Sequence, residues 1–158
     1  MLAELCGVGM TADSKSMISP DIDGAREVMR LALEDARLAP SDLGYLNAHG
    51  AATIVGDRNE AEAIRKTFGR HACDLPVSAT KSMYGHPLGA SGAIEAAICA
   101  LAMTHGFLPG TANLTEPDPE IALSLLPPAG RCACPRAVLN TAFGFGGINS
   151  TLVLTSTA

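Results

Sequence analysis

The 158-residue sequence lacks tryptophan, and aromatic residues make up only 4% of it. It also lacks a positive charge balance, because eleven Lys and Arg residues face sixteen Asp and Glu residues, which gives a formal net charge of -5. A chain without a basic field has little to attract phosphate backbones or anionic lipid. We therefore expect neither a nucleic acid nor a membrane as a partner.

The cysteines lack the pattern of a disulfide scaffold. They are five in number and scattered along the chain, which suits a reducing compartment. The N-terminal segment has no basic stretch before its apolar residues, and Glu4 interrupts them, so it does not resemble a secretory signal. The longest apolar run, residues 96–103, is shorter than the roughly 20 residues that a membrane-crossing helix needs. We expect a cytoplasmic protein.

Apolar residues are abundant, at 47% of the chain, and 158 residues suffice for one domain that spans residues 1–158. Strand-like runs alternate with segments of helical periodicity in the order βαβαβαββ, which predicts an α/β fold with a five-stranded mixed sheet covered by helices. The last two strands are predicted to pair antiparallel around a Gly-rich turn. The predicted strands cover residues 2–9, 43–48, 76–80, 137–143 and 150–155. The first predicted helix covers residues 25–38, with Asp23 as its start signal, and the second follows a predicted capping pair of Asp57 and Glu60. The third covers residues 88–104, and we expect it to be buried on every side.

Two of the four histidines follow predicted strands, in Gly-containing loops. His49 stands in NAHG and His86 stands in KSMYGHPLGASG. Ligands of open α/β sheets collect at the carboxyl ends of strands, so both imidazoles are candidates for one cleft. An ordinary buried histidine is the alternative for each. His71 and His105 lie in polar contexts and are expected at the surface.

Two other motifs are weaker. Gly144, Gly146 and Gly147 suggest a dinucleotide loop, but that fingerprint needs a following helix, so a tight turn that brings backbone close to a ligand is the better interpretation. The spacing of Cys132 with Cys134, and of His71 with Cys73, differs from that of zinc knuckles, and we expect no metal.

Three segments together resemble a known family. NAHGAAT (residues 47–53), VSATKSMYGHPLGASGAIEA (residues 77–96) and AFGFGGIN (residues 142–149) have the order and spacing of the carboxyl-terminal half of the beta-ketoacyl-acyl-carrier-protein synthases, in particular the type II elongating enzymes. The resemblance covers residues 3–154.

The resemblance implies a thiolase-like fold of two similar halves, of which this chain matches the second. It implies that His49 and His86 are the catalytic histidines of a Cys-His-His set and that Lys81 is a third catalytic residue. Glu95 corresponds to a buried supporting glutamate. The resemblance places Thr53, Phe143, Gly144, Phe145 and Gly146 at the substrate, with Phe143 as an aromatic gate.

The resemblance also implies a reaction, the decarboxylative condensation of malonyl-carrier protein with an acyl-enzyme in fatty acid or polyketide synthesis. Decarboxylation leaves an enolate, whose oxygen two neutral imidazole N–H groups stabilise. The ammonium of Lys81 disfavours a second positive charge and so lowers imidazole pKa; a plain ion pair with Glu95 is the alternative. The implied partner is acyl carrier protein, whose phosphopantetheine arm carries the substrate, and no cofactor is implied.

The sequence departs from the family in several ways. The family nucleophile is a cysteine in the amino-terminal half, and none of the five cysteines here has a matching context, so we expect this chain alone to be inactive without that half in cis or in trans. Ala51 replaces a hydroxyl residue that contacts the carrier arm, Thr141 replaces part of an Asn-Ser pair, and Ile148 replaces a threonine.

A non-catalytic acyl-binding or subunit-pairing module, similar to a chain-length factor, is the alternative function. In the two-half fold, the helix at residues 88–104 packs against its counterpart, so the chain by itself is expected to self-associate. A monomer in sedimentation at micromolar concentration would contradict this expectation. Arg65, Lys66 and Arg70 form a basic cluster that suggests docking of an acidic carrier, with a solvated helix face as the alternative.

Overall fold

The computed structural model describes residues 1–157. In that range, short 3-10 turns at Pro40–Asp42, Gly69–Cys73, Leu88–Ala90 and Phe145–Gly147 connect the longer elements. The strands are β1 (Glu4–Ala12), β2 (Tyr45–Asn47), β3 (Pro76–Ser78), β4 (Phe107–Leu108), β5 (Ser124–Leu125), β6 (Arg131–Cys132), β7 (Ala137–Gly144) and β8 (Ile148–Thr155), and the helices are α1 (Ile22–Ala36), α2 (Ile54–Phe68), α3 (Lys81–Tyr84) and α4 (Ser91–His105).

The main sheet is mixed, which confirms the predicted α/β class. Its strand order is β1-β8-β7-β2-β3-β5, with β7, β2, β3 and β5 parallel and with β7 and β1 antiparallel to β8. The prediction of five strands missed β5, and β4 pairs with β6 in a separate two-stranded sheet. Strands of two residues in a Pro-rich segment carry no periodicity that a sequence pattern can reveal.

Two helix starts differ from the prediction. In α1, Asp21 rather than Asp23 is the N-cap, because its Oδ2 atom accepts the N–H of Gly24 at 2.9 Å. The second helix, α2, already begins at Ile54, so Asp57 lies inside the helix and the predicted capping pair is wrong.

One face of the sheet is closed by α1 and α2. Gly7 and Gly9 of β1 face α1, and a Cβ atom on Gly9 would lie 2.1 Å from the carbonyl oxygen of Val28. The backbone of α1 therefore lies directly against the strand. At the free edge of the sheet, the N–H of Val8 donates to Asp35 Oδ2 of α1 at 2.9 Å.

The other face is only partly covered, by α4. Cys99 and Glu95 of this helix are fully buried, but Ile94 and Leu101 are 39% and 44% exposed, so in this single chain the helix is not buried on every side. Residues Leu88–His105 are long and apolar enough, by length and composition alone, to cross a membrane. A core helix of a globular domain meets the same test, and α4 packs against β7 and β8.

Candidate active site

A cleft of about 370 Å³ opens where β2 and β7 end. This is the edge at which parallel strands of an α/β sheet present ligands. Four of the predicted substrate residues, Thr53, Phe143, Gly144 and Phe145, line it together with both candidate histidines. The complete lining is Ile18, Pro20, His49, Ala51, Thr53, Gly56, Asp57, His86, Leu88, Gly89, Phe143, Gly144 and Phe145.

His49 follows β2 and is fixed from the neighbouring strand β7. The backbone N–H of Phe143 donates to His49 Nδ1 at 3.3 Å, and the two rings lie 5.4 Å apart between centroids. A backbone amide can only donate, so Nδ1 carries a lone pair and the proton of the neutral ring is on Nε2. The free N–H of His49 is therefore Nε2–H.

His86 is held in the same tautomer by its own loop. The N–H of Leu88 donates to His86 Nδ1 at 3.2 Å, and the hydroxyl of Ser91 lies 3.0 Å from the same atom. Leu88 adopts a left-handed conformation with φ of 51°, which is costly for a residue with a Cβ atom. In this strained conformation, the backbone N–H of Leu88 donates to the ring of His86.

The two imidazoles meet in the cleft. Their ring centroids are 5.3 Å apart and their planes make an angle of 79°. Both rings line the same cleft, and each has its Nδ1 occupied by a donor, so both Nε2–H groups remain available to an acceptor. The structure thus brings together two residues that are 37 positions apart in sequence, as expected.

Lys81 and Glu95 form a buried ion pair, close enough to both histidines for the charge of Lys81 to act on them. Burial, followed by the charge of Lys81 and then by His86, lowers the pKa of His49 to about 3. Burial and Lys81 also lower the pKa of His86. Lys81 therefore has both of its predicted roles, because it forms an ion pair with Glu95 and its charge also disfavours the imidazolium form of the histidines.

Glu95 is deeply enclosed. Burial raises the pKa of its carboxyl, although the hydrogen bond and charge of Lys81 oppose this. Its Oε1 atom contacts Lys81 and Tyr84, whereas Oε2 has no hydrogen-bond partner among residues 1–157.

Sequence reasoning missed Glu60, which it assigned to a helix cap. Glu60 is buried, and its carboxylate accepts the N–H groups of His49 and Gly50 at 2.9 Å each. It also accepts the hydroxyl of Thr141 at 2.7 Å. Burial raises the pKa of its carboxyl, and these three donors oppose that effect by stabilising the ionised form. The signal in the sequence was its position one and two turns before Ile64 and Phe68, on the apolar side of α2.

Thr141, which stands in place of part of the Asn-Ser pair of the family, takes part in this support. Its hydroxyl donates to Glu60 and accepts the N–H of His49 at 3.0 Å. Ala51 lines the cleft without a hydroxyl, and Ile148 is exposed at the start of β8. Thr141 therefore takes part in the polar contacts behind His49, whereas Ala51 presents a methyl group to the cleft.

Gly146 is the one predicted substrate residue that does not line the cleft. Its N–H instead donates to the carbonyl of Met17 at 2.9 Å, which joins the Gly-rich turn to the preceding long loop. The turn leads into β8 and not into a helix, which agrees with the turn interpretation and not with a dinucleotide fingerprint.

The remaining candidates lie away from the cleft. Cys73, Cys132 and Cys134 are exposed, and in residues 1–157 no three His, Cys, Asp or Glu side chains are arranged to hold a metal ion. His71 is half-buried, which differs from the predicted surface position, and its Nε2 donates to the carbonyl of Leu43 at 2.8 Å.

The basic cluster of α2 is partly neutralised by its own helix. Arg65 forms an ion pair with Glu62 at 2.7 Å, and Lys66 lies 4.0 Å from the same carboxylate. This favours a solvated helix face over a docking site.

Comparison with known proteins decides the family. The sequence matches the profile described as "Beta-ketoacyl synthase, C-terminal domain" over residues 2–115. The chain belongs to this family. It is 46% identical over 154 residues to 3-oxoacyl-[acyl-carrier-protein] synthase 2 of Coxiella burnetii, covering 96% of this chain and 37% of that protein. It is 42% identical over 152 residues to Nodulation protein E of Rhizobium sp. (strain N33), covering 96% and 38%.

Solved ketosynthases share the fold. The structure titled "The ishigamide ketosynthase/chain length factor" superposes with a TM-score of 0.95 at 36% identity, covering 99% of this chain and 38% of that one. A type II polyketide synthase acyl-carrier protein in complex with its ketosynthase bound to the hexaketide gives a TM-score of 0.95 at 33% identity, covering 99% and 39%. This beta-ketoacyl synthase domain is therefore thiolase-like, and it spans about two fifths of the length of the proteins it matches.

Proposed function

We propose that this chain supplies the two-histidine part of a decarboxylating beta-ketoacyl synthase site. The observation that carries the proposal is the pair of Nε2–H groups on His49 and His86, which are fixed as donors from behind by the amides of Phe143 and Leu88. Two preorganised donors in one cleft are suited to a developing oxyanion.

The substrate in this proposal is a malonyl thioester on the phosphopantetheine arm of an acyl carrier protein. Its bond between the α-carbon and the carboxylate breaks, carbon dioxide leaves, and the electron pair moves onto the thioester oxygen as an enolate. His49 and His86 donate to that oxygen. Burial, and after it the charge of Lys81, lowers the pKa of both rings, so each ring offers an N–H without holding a fixed positive charge.

Condensation also requires an acyl thioester that the enolate attacks, with a thiolate as the leaving group. None of the residues that line the cleft is a cysteine, and burial raises the pKa of Cys99 to about 12. We propose that a ketosynthase amino-terminal half, in the same chain or another, provides the thiol. The proposed chemistry requires no resident cofactor, and a cytoplasmic location remains a prediction.

The test is co-expression of this chain with a matching amino-terminal half, followed by assays of malonyl-carrier decarboxylation and of condensation. Restored activity should fall by about 100-fold or more in His49→Ala and in His86→Ala, because each removes an oxyanion donor. His105→Ala is the matched control, since His105 is exposed at the end of α4, and it should behave as the unmodified chain.

Activity that is restored and ignores both substitutions would overturn the proposal. A complex that forms but neither decarboxylates nor condenses would favour the second candidate, a subunit-pairing module. A structural neighbour that comprises a ketosynthase and a chain length factor gives that candidate its support.

A further inference from the structure

Tyr84 lies at the end of α3, one turn after Lys81, and its hydroxyl reaches the buried carboxylate of the ion pair. The phenol oxygen is 3.3 Å from Glu95 Oε1 and 3.4 Å from Thr80 Oγ1. The side chain is 39% exposed, so it extends from the surface into the site.

The hydrogen-bond directions around Tyr84 follow from the protons available. Asn47 Nδ2 donates to Asn140 Oδ1 at 3.0 Å, which leaves Asn47 Oδ1 as an acceptor. Thr80 uses its only proton on that oxygen, at 3.1 Å. Thr80 can then only accept from Tyr84, so the single phenol proton has two acceptors to choose from, a neutral hydroxyl and the carboxylate of Glu95.

The carboxylate is the stronger acceptor, because hydrogen bonds to charged groups are about twice as strong as neutral ones. It is also the closer of the two. We propose that Tyr84 is a positioning residue, which donates its phenol proton to Glu95 Oε1 and so holds the carboxylate ionised and directed at Lys81. The inference rests on the proposed function for its purpose, which is to keep a charged Lys81 close to His49 and His86.

The surroundings of Glu95 explain why such a donor matters. Glu95 is fully buried, and its Oε2 atom has no partner among residues 1–157. Burial opposes the ionised form, whereas Lys81 and Tyr84 of α3 favour it. The other titratable groups that face it are Cys99 on the next turn of α4 and Tyr45 of β2, and neither donates to it. Tyr84 is therefore the one neutral donor on this carboxylate in the described chain.

The test is an NMR titration of the Glu95 side-chain carboxyl in the 158-residue protein. In Tyr84→Phe, the pKa of Glu95 should rise by about one pH unit, because a hydrogen bond to the charged form is lost. Thr80→Val is one control, since it removes the donor to Asn47 and the competing acceptor of the phenol proton but leaves the contact of Tyr84 with Glu95, and Met83→Leu is a second control, in α3 itself. Both should titrate as the unmodified protein does.

A second variant keeps the shape of the side chain. Replacement of Tyr84 alone by 3-fluorotyrosine makes its phenol more acidic and a stronger donor, so the pKa of Glu95 should fall. An unchanged Glu95 titration in Tyr84→Phe, or an equal shift in Thr80→Val, would overturn the inference. The titration contains no malonyl substrate, so its failure is distinguishable from failure of the decarboxylation assay.

Discussion

His49 and His86 carry the same side chain in the same tautomer, but the protein holds them in different ways. His49 is half-buried at the end of β2, and its backbone is tied to Glu60 of α2 and Thr141 of β7. His86 is exposed, and its ring is held by Leu88 of the loop that follows it and by Ser91 at the start of α4. The first histidine is thus positioned by long-range contacts of the core, and the second by local backbone geometry.

The largest effect is expected from Glu60→Ala. This change leaves the N–H of Gly50 without its acceptor and removes the closer of two acceptors from the N–H of His49 and from the hydroxyl of Thr141, so the free energy of unfolding should fall by about 3 kcal/mol. Urea denaturation measures it. Glu62→Ala on the same helix, which removes a partly exposed ion pair, should cost less than about 1 kcal/mol.

The same variants test the comparison itself. In Glu60→Ala, the NMR signals of the His49 ring should move while those of His86 stay in place. Equal movement of both rings would show that one framework holds both histidines and would contradict the distinction drawn above.

The next largest effect is a pH dependence specific to His49. Its pKa is about 3 in the folded state, against the ordinary value of 6.5. The unfolded chain therefore binds more protons between about pH 6.5 and about pH 3. The free energy of unfolding falls as the pH falls through that window, by at most about 1.4 kcal/mol per pH unit, and His49 contributes no slope above it.

Urea denaturation from pH 5 to pH 7 measures this slope against that of His49→Gln, which has no imidazole to titrate. Burial raises the pKa of Glu60 and of Glu95 and gives a slope of opposite sign, but both proteins contain these residues and the difference removes them. His105→Gln is the exposed control and should keep the slope. Identical slopes in His49→Gln and the unmodified chain would show that His49 titrates normally.

The smallest effect concerns the loop of His86. Leu88 is 68% exposed, so its replacement loses little burial, but its left-handed backbone penalises any residue with a Cβ atom. Leu88→Gly should therefore be more stable than Leu88→Ala by about 1 kcal/mol, although glycine is the more flexible residue. Differential scanning calorimetry of the two variants decides it, and greater stability of the alanine variant would contradict a strained support for His86.

The sequence predicted what depends on pattern and strand order. The parallel strands, the final antiparallel pair and the meeting of His49 with His86 all follow from alternation and from the place of each histidine after a strand. Lys81 with Glu95 was anticipated as a pair because a single carboxylate on an apolar helix requires a partner.

What sequence could not predict depends on contacts between distant segments. The Asp57 and Glu60 spacing suits a helix cap and a buried support equally well, and only the position of α2 against β2 and β7 separates them. The exposure of Ile94 and Leu101 likewise could not be predicted. An apolar composition shows that a helix can be buried, but it does not show which of its sides is covered.

The contact of Asp35 with Val8 protects the free edge of β1 against the addition of another strand. An edge strand with free N–H groups is a template on which another strand can add, and a charged side chain or a bulge at the edge blocks such growth. Here Asp35 occupies the N–H of Val8, and the β1 register is shifted between Leu5 and Gly7. Strand addition at β1 is thus disfavoured, and we expect the predicted self-association to use the exposed apolar side chains of α4, Ile94 and Leu101, and not the edge of β1.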